Sequence, residues 1–205
     1  GDLVGMVSIT INNIYETPIM AMDSSGNLLF CAPGMSPQAA SLVQPQGGIG
    51  NIKSILYDTY SGHLFILDPR YNALWVYSGS DLQFTGEPYS LFTYFPMDLT
   101  AAIDLAVNGD ELYILFDDGH MATCNAPGFT VSQINCINPA QIIDPRENSP
   151  AIDFLNLELS QSLFITPPDP SVMLLASDTA EIFQLNRRLV LNRIYRGRFE
   201  KELAE

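Results

Sequence analysis

Two histidines, three cysteines and a spread of aspartates are what this 205-residue chain offers for chemistry. His63 and His120 each follow a glycine, Gly62 and Gly119, where an apolar run begins. That is the position of a turn-flanking residue rather than of a metal ligand or a general base. With two histidines a zinc site or a Ser-His-Asp triad is hard to assemble. Cys31, Cys124 and Cys136 are odd in number and widely spaced, which fits neither a disulfide framework nor a zinc pattern. They read as small free thiols buried in strands. The segment Gly47-Gly48-Ile49-Gly50 lacks the lysine and the helical period of a phosphate cradle, so it reads as a loop. No nucleophile elbow, P-loop or H-E-x-x-H motif occurs. No catalytic residue, metal or cofactor is expected.

The acids carry more. Asp23, Asp68, Asp117 and Asp178 each lie at the end of an apolar run, in a tight turn. A ring of such carboxylates on one rim would hold a cation such as Ca²⁺. Equally, an aspartate accepts bonds from the amides of its own turn and fixes that turn. The turn-fixing reading is favoured.

Charge narrows the choice of partners. The formal net charge is −14, so nucleic acid is excluded by repulsion from its phosphates. No apolar run reaches the roughly 18 residues of a membrane helix, and residues 1–30 show no signal peptide, so direct membrane insertion is not expected. Basic residues are uneven. Lys53, Arg70 and Arg146 stand against 20 acids in residues 1–186, whereas residues 187–205 hold six basic residues against three acids. A basic tail could dock on an acidic partner. The favoured alternative is a final strand whose arginines shield a sheet edge and pair with the acidic body.

The elements that position these residues are short strands. Apolar runs of five to eight residues, rich in β-branched and aromatic side chains, alternate with turn residues. An apolar strand, an acidic turn and a second apolar strand recur around Asp23, Asp68, Asp117 and Ser177, at steps of 45, 49 and 60 residues. The third step is lengthened by an insertion at 137–150, rich in Pro, Asn and charge. Preceding strands are expected at 4–12, 53–58, 101–107 and 159–166, and following strands at 39–43, 89–94, 131–137 and 189–195. Four strands in each unit of about 48 residues are the pattern of β-propeller blades, because one four-stranded sheet cannot bury both faces alone. The expected class is all-β, with repeats at about 4–46, 51–95, 99–137 and 151–196 and a tail at 197–205 that could form a short helix. Cys31 and Cys124 occupy the same place in units one and three. They should therefore be too far apart to bridge.

Asp68-Pro69-Arg70-Tyr71-Asn72-Ala73-Leu74-Trp75-Val76-Tyr77 resembles an NHL repeat, with its acidic turn, downstream Asn and alternating apolar strand. Ser177–Leu185 is a weaker copy that lacks the Asn. Units one and three, with shorter turns, resemble YncE-like blades. The last unit is similar to the closing blade of the C-terminal propeller in bacterial multidomain or membrane-anchored proteins. The resemblance implies six blades, of which four are visible here. It follows that the chain reads as part of a longer protein, with Gly1 left by tag removal.

In a propeller the acidic turns share one face with the links between units. The expected function is a non-catalytic module that binds a protein or small ligand on that face, through Asp98, Asp144, Arg146 and Glu147 together with Asp68 and Asp117. The alternative, which the resemblance implies, is a metal-dependent propeller hydrolase or lactonase drawing on Asp58, Asp104 and Asn108 near the central channel. Three or more carboxylate or amide oxygens meeting at one point would favour the enzyme. Closure stays open. Four units that close on themselves would bury Ile9, Ile11, Leu174 and Ile182, whereas an open arc would be completed by missing sequence or another chain, for instance as a homodimer.

Overall fold

Each apolar run separated by an acidic turn forms an antiparallel strand pair, and each unit adds one strand on either side. The computed structural model of the chain describes residues 3–8, 19–23, 25–32, 34–40, 42–79, 83–165 and 170–196. The first sheet contains β1 (Leu3–Ser8), β2 (Ile19–Asp23), β3 (Leu28–Cys31) and β4 (Gln38–Ala40). The second contains β5 (Ser54–Asp58), β6 (His63–Asp68), β7 (Ala73–Ser78) and β8 (Tyr89–Ser90). The third contains β9 (Ala102–Asn108), β10 (Glu111–Phe116), β11 (Met121–Asn125) and β12 (Asn135–Ala140). The fourth contains β13 (Leu159–Ile165), β14 (Ser171–Ala176), β15 (Glu181–Asn186) and β16 (Leu191–Arg196). In every sheet the strands pair in chain order. Helix among the described residues is limited to three 3-10 turns of three residues each. The fold is all-β, as the repeats predict. The tail at 197–205, with Ile9 and Ile11, lies outside the described residues.

The sheets pack face to face, with β5, β9 and β13 adjoining in sequence and β1 against β5. Three apolar cores fill the spaces between them. Met20, Met22 and Leu28 of the first sheet meet Leu64, Ile66 and Tyr77 of the second. Phe65, Leu67 and Leu74 meet Leu112, Ile114 and Phe116 between the second and third. Tyr113, Leu115 and Met121 meet Val172, Leu174 and Phe183 between the third and fourth. Thus β6 and β10 bury both of their faces. For this reason Leu64–Leu67 and Leu112–Phe116 read as unbroken apolar runs instead of alternating ones. Among the described residues no core joins the fourth sheet to the first. Leu174 is buried, but against the third sheet, and Ile182 is half-buried.

The outer strands also reach their neighbours. Leu42 bridges Phe84, and Ile143 bridges Val190, each in parallel orientation. Two arginines near the end of the chain pair with acids, one from the β15–β16 turn and one from the edge strand β16. Arg187 pairs with Glu111 and Arg196 with Glu181, both at 2.7 Å. Strand β12 runs three residues past the expected boundary, through Pro139. As the edge strand of its sheet it tolerates a residue with no N–H to donate.

The expectation of three free cysteines is corrected. Cys124 and Cys136 form a disulfide, while Cys31 is free. Cys124 on β11 stands directly opposite Cys136 on β12, with a Cα–Cα distance of 4.1 Å. Cys31 on β3 and Cys124 on β11 are third strands of different sheets, and the bridge lies within one unit. Titration of the unfolded, unreduced protein is expected to find one thiol, rising to three after reduction. Closing so short a loop contributes about 3 kcal/mol. Reduction should therefore lower the urea midpoint without altering the far-ultraviolet spectrum.

Candidate functional site

Because the strands alternate in direction, the turn between second and third strands lies at the same end of each sheet as the link to the next sheet. Hydrogen bonds tie the two together. The Asp117 amide donates to the Ala101 carbonyl at 2.9 Å, and the Ser177 amide to the Glu158 carbonyl at 2.9 Å. The Leu99 amide donates to Asn72 Oδ1 at 2.5 Å. Asn72 has a φ of 51°, the left-handed conformation that asparagine tolerates and that ends the Pro69–Tyr71 turn.

Most of the expected binding residues are engaged within this rim. Asp68 is fully buried, and its carboxylate accepts from the amides of Gly50 (2.7 Å) and Asn51 (2.9 Å), so it anchors the preceding link. Asp117 is exposed, while its neighbour Asp118 accepts the His120 amide and fixes their turn. Asp98 accepts the amide and hydroxyl of Thr100, which hold its carboxyl below the usual range, hydroxyl first. Asp144 receives a two-point clasp from Arg146, at 2.7 and 2.6 Å, and the Arg146 guanidinium holds its carboxyl at about 2. Glu147 is exposed on the same link. Asp23 accepts the Asn27 side chain and the Ser25 and Asn27 amides, and with Asn27 as the main cause its carboxyl also falls to about 2. Asp178 accepts the Thr179 amide. The acids thus bond to turns and links, and among the described residues no three metal-ligating side chains converge.

The channel residues are separated as well. Asp58 accepts the Tyr60 and Ser61 amides at the far end of β5, and Asn108 ends β9. Asp104 sits alone between three inner strands. One oxygen accepts the Ser54 hydroxyl of β5 at 2.6 Å, and the other accepts the Ser162 amide of β13 at 2.6 Å. It is 8% exposed, and burial pushes its carboxyl above the usual range against the pull of these donors.

The sequence reading missed a cleft of about 380 Å³ on the turn-and-link face. Gly119 and His120 of the β10–β11 turn form one wall, Gln141 and Ile142 another, and Ile152, Asp153 and Leu155 a third. A Cβ on Gly119 would overlap the Phe154 carbonyl, and its φ is +84°, so only glycine lets turn and link close up here. His120 stacks on Phe116 with ring centroids 4.1 Å apart, and its Nδ1 lies 2.5 Å from Asp118. With Nδ1 held by the carboxylate, Nε2 is the ring atom that would hydrogen-bond a guest. Burial pushes the Asp118 carboxyl up, but the bonds from the His120 amide and ring outweigh it and hold it below the usual range. The spacing Asp118-Gly119-His120 was the available signal. A second cleft, of about 490 Å³, is lined by Tyr94, Phe95, Asp98, Asn135 and Asn138.

No protein-family model matches the chain, and no curated protein matches it by sequence. Solved structures match it in shape. A protein of unknown function from Bacteroides thetaiotaomicron is 8% identical with a TM-score of 0.56, over 93% of this chain and 42% of that one. Streptogramin B lyase is 10% identical with a TM-score of 0.53, over 97% and 55%. The Dos1 propeller is 14% identical with a TM-score of 0.50, over 95% and 49%. The fold is a β-propeller. At such identities the likeness is to the fold alone, and this chain spans about half the length of these three solved chains. No helix among the described residues is long and apolar enough to cross a membrane.

Two outcomes check this geometry. Carboxyl NMR is expected to place the Asp144 midpoint at about 2, returning toward 3.8 in Arg146→Ala. Asp104→Ala should lose about 2 kcal/mol, because it strands the Ser162 amide. Asp104→Asn, which keeps an acceptor, should lose much less. The folded state holds the Asp104 proton more tightly than the unfolded one, so ionisation opposes folding. Wild type should therefore lose stability relative to Asp104→Asn as pH rises from about 4, which urea titrations across pH would measure.

Proposed function

We propose that the chain is a non-catalytic propeller module that holds a protein partner on its turn-and-link face. The observation that carries this reading is the cleft beside His120. It combines an apolar wall from Ile142, Ile152 and Leu155 with polar groups from His120, Gln141 and Asp153. Leu155 is 60% exposed and Ile143 45%, so an apolar surface continues beyond the cleft. Such a site suits an extended peptide that inserts one apolar side chain and offers a hydrogen bond to the imidazole. Asp98, Asp117 and Glu147 flank the face as polar contacts, while Asp68, Asp144 and Arg146 shape it by their internal bonds.

The metal-dependent hydrolase reading is less favoured, since Asp58, Asp104 and Asn108 do not meet. The lyase among the similar structures shares only the architecture. The Cys124–Cys136 bridge favours an oxidising compartment. The NHL and YncE likeness, with its bacterial and membrane-anchored setting, remains part of this proposal.

Selection of random peptides displayed on phage against the immobilised protein tests the reading. Enriched peptides are expected to carry a common apolar residue. Leu155→Glu and His120→Ala should each weaken them at least about tenfold, or 1.4 kcal/mol. Peptides that bind equally well to both variants would place the binding surface elsewhere.

A further inference from the structure

We infer that the outer edge of the third sheet takes up an extended segment of another protein as an added strand, one that sets apolar side chains against Tyr94 and Phe95 and a lysine or arginine against Asp98. This site shares no lining residue with the cleft beside His120 and is independent of the function proposed for that cleft.

An open strand edge is a row of unpaired N–H and C=O groups, and proteins ordinarily blunt it with short strands or charge. The outer edges of this molecule differ in that respect. Strand β4 has three residues and β8 two, and β16 carries Arg193 and Arg196. Strand β12 has six residues, Asn135–Ala140, and no charged side chain. All six are exposed or half-buried. Among the described residues, no backbone hydrogen bond from outside the sheet reaches them. Cys136 and Cys124 stand 4.1 Å apart at Cα, closer than the roughly 5.5 Å of a pair that exchanges ladder bonds. The N–H and C=O of Cys136 therefore point away from β11, to the open side. Pro139 has no N–H to donate and ends the usable edge.

The occupant follows from what lies beside this edge. The cleft of about 490 Å³ has Ile134, Cys136 and Asn138 on one side and Tyr94, Phe95 and Asp98 on the other. Tyr94 is 69% exposed and Phe95 49%. A strand added to β12 continues the sheet, so every second side chain falls on the face that lines the cleft and meets these rings. Main-chain groups that need both a donor and an acceptor at strand spacing are matched by another extended chain. Asp98 selects the charge of that chain. Its Oδ1 accepts both bonds from Thr100, and its Oδ2 accepts none among the described residues. The Thr100 bonds keep the carboxyl ionised, and the whole chain carries −14, so the complementary segment is basic. The bridge to Cys124 already holds the middle of β12 in place, which leaves little to order when a strand is added.

The probe is a library of random peptides displayed on phage, selected against the immobilised chain. One enriched group is expected to combine apolar residues with a lysine or arginine. It should keep its affinity for His120→Ala and lose at least about tenfold with Tyr94→Ala, which separates this site from the cleft beside His120. Should Tyr94→Ala shift the thermal midpoint, Phe95→Ser takes its place. Made as free peptides, the members of this group should lose binding when alternate backbone amides are N-methylated. Adding them should slow hydrogen exchange of the Cys136 amide, followed by NMR, at least about tenfold. The absence of any Tyr94-dependent group overturns the inference. So does such a group that lacks a basic residue, tolerates N-methylation, or leaves the Cys136 amide exchanging as before. A wild-type dimer in light scattering whose Cys136 amide is already slow also overturns it, since a second copy would then hold the edge.

Discussion

A four-stranded β-sheet made of apolar residues has two faces to bury, and the architecture follows from that requirement. The chain meets it by repetition. Each unit covers the far face of the preceding unit and exposes a far face of its own. In the middle of the molecule the balance is complete. Phe65 and Leu67 face one way from β6, Leu64 and Ile66 the other, and all four are fully buried. Alternation, the usual signature of a strand, disappears where both sides are covered.

The rim expresses a second constraint. Sheets stacked face to face are joined by links that must not leave buried amides unpaired. Asp68 and Asn72 meet this need by accepting link amides, and Asp118 serves its own turn. An acid committed in this way has little left for a ligand. The open chemistry lies instead where the link between the third and fourth sheets is longest and closes on the β10–β11 turn at Gly119, with a cleft beside His120.

Much of the fold could be read from residue order. Apolar runs, acidic turns and a recurring unit are local properties, and they located sixteen strands with small errors at the ends. The errors have physical causes. Strand β8 is two residues long because the chain after Ser90 turns, with the Thr93 hydroxyl bonding the Ser90 carbonyl. The disulfide depends on which residues of β11 and β12 stand opposite, a register that a 12-residue separation does not reveal. The site was legible only in part. That turns and links share one face follows from topology, whereas the cleft depends on the approach of Gly119 to Phe154, which no local pattern encodes. The acids drew attention by their spacing, and that spacing belongs to the turns.

Asp104 has a consequence for how the molecule comes apart. One carboxylate links β9 to β5 on one side and to β13 on the other, and so joins the inner strands of the second, third and fourth sheets. The described residues of the first sheet have no part in that junction and hold to the rest chiefly through one apolar core. Such an arrangement divides the protein into a three-sheet block that melts as a unit and a first sheet that detaches at lower cost. The first sheet is then the hinge of the unfolding landscape, and partly open forms of the protein would keep three sheets locked around a single buried acid.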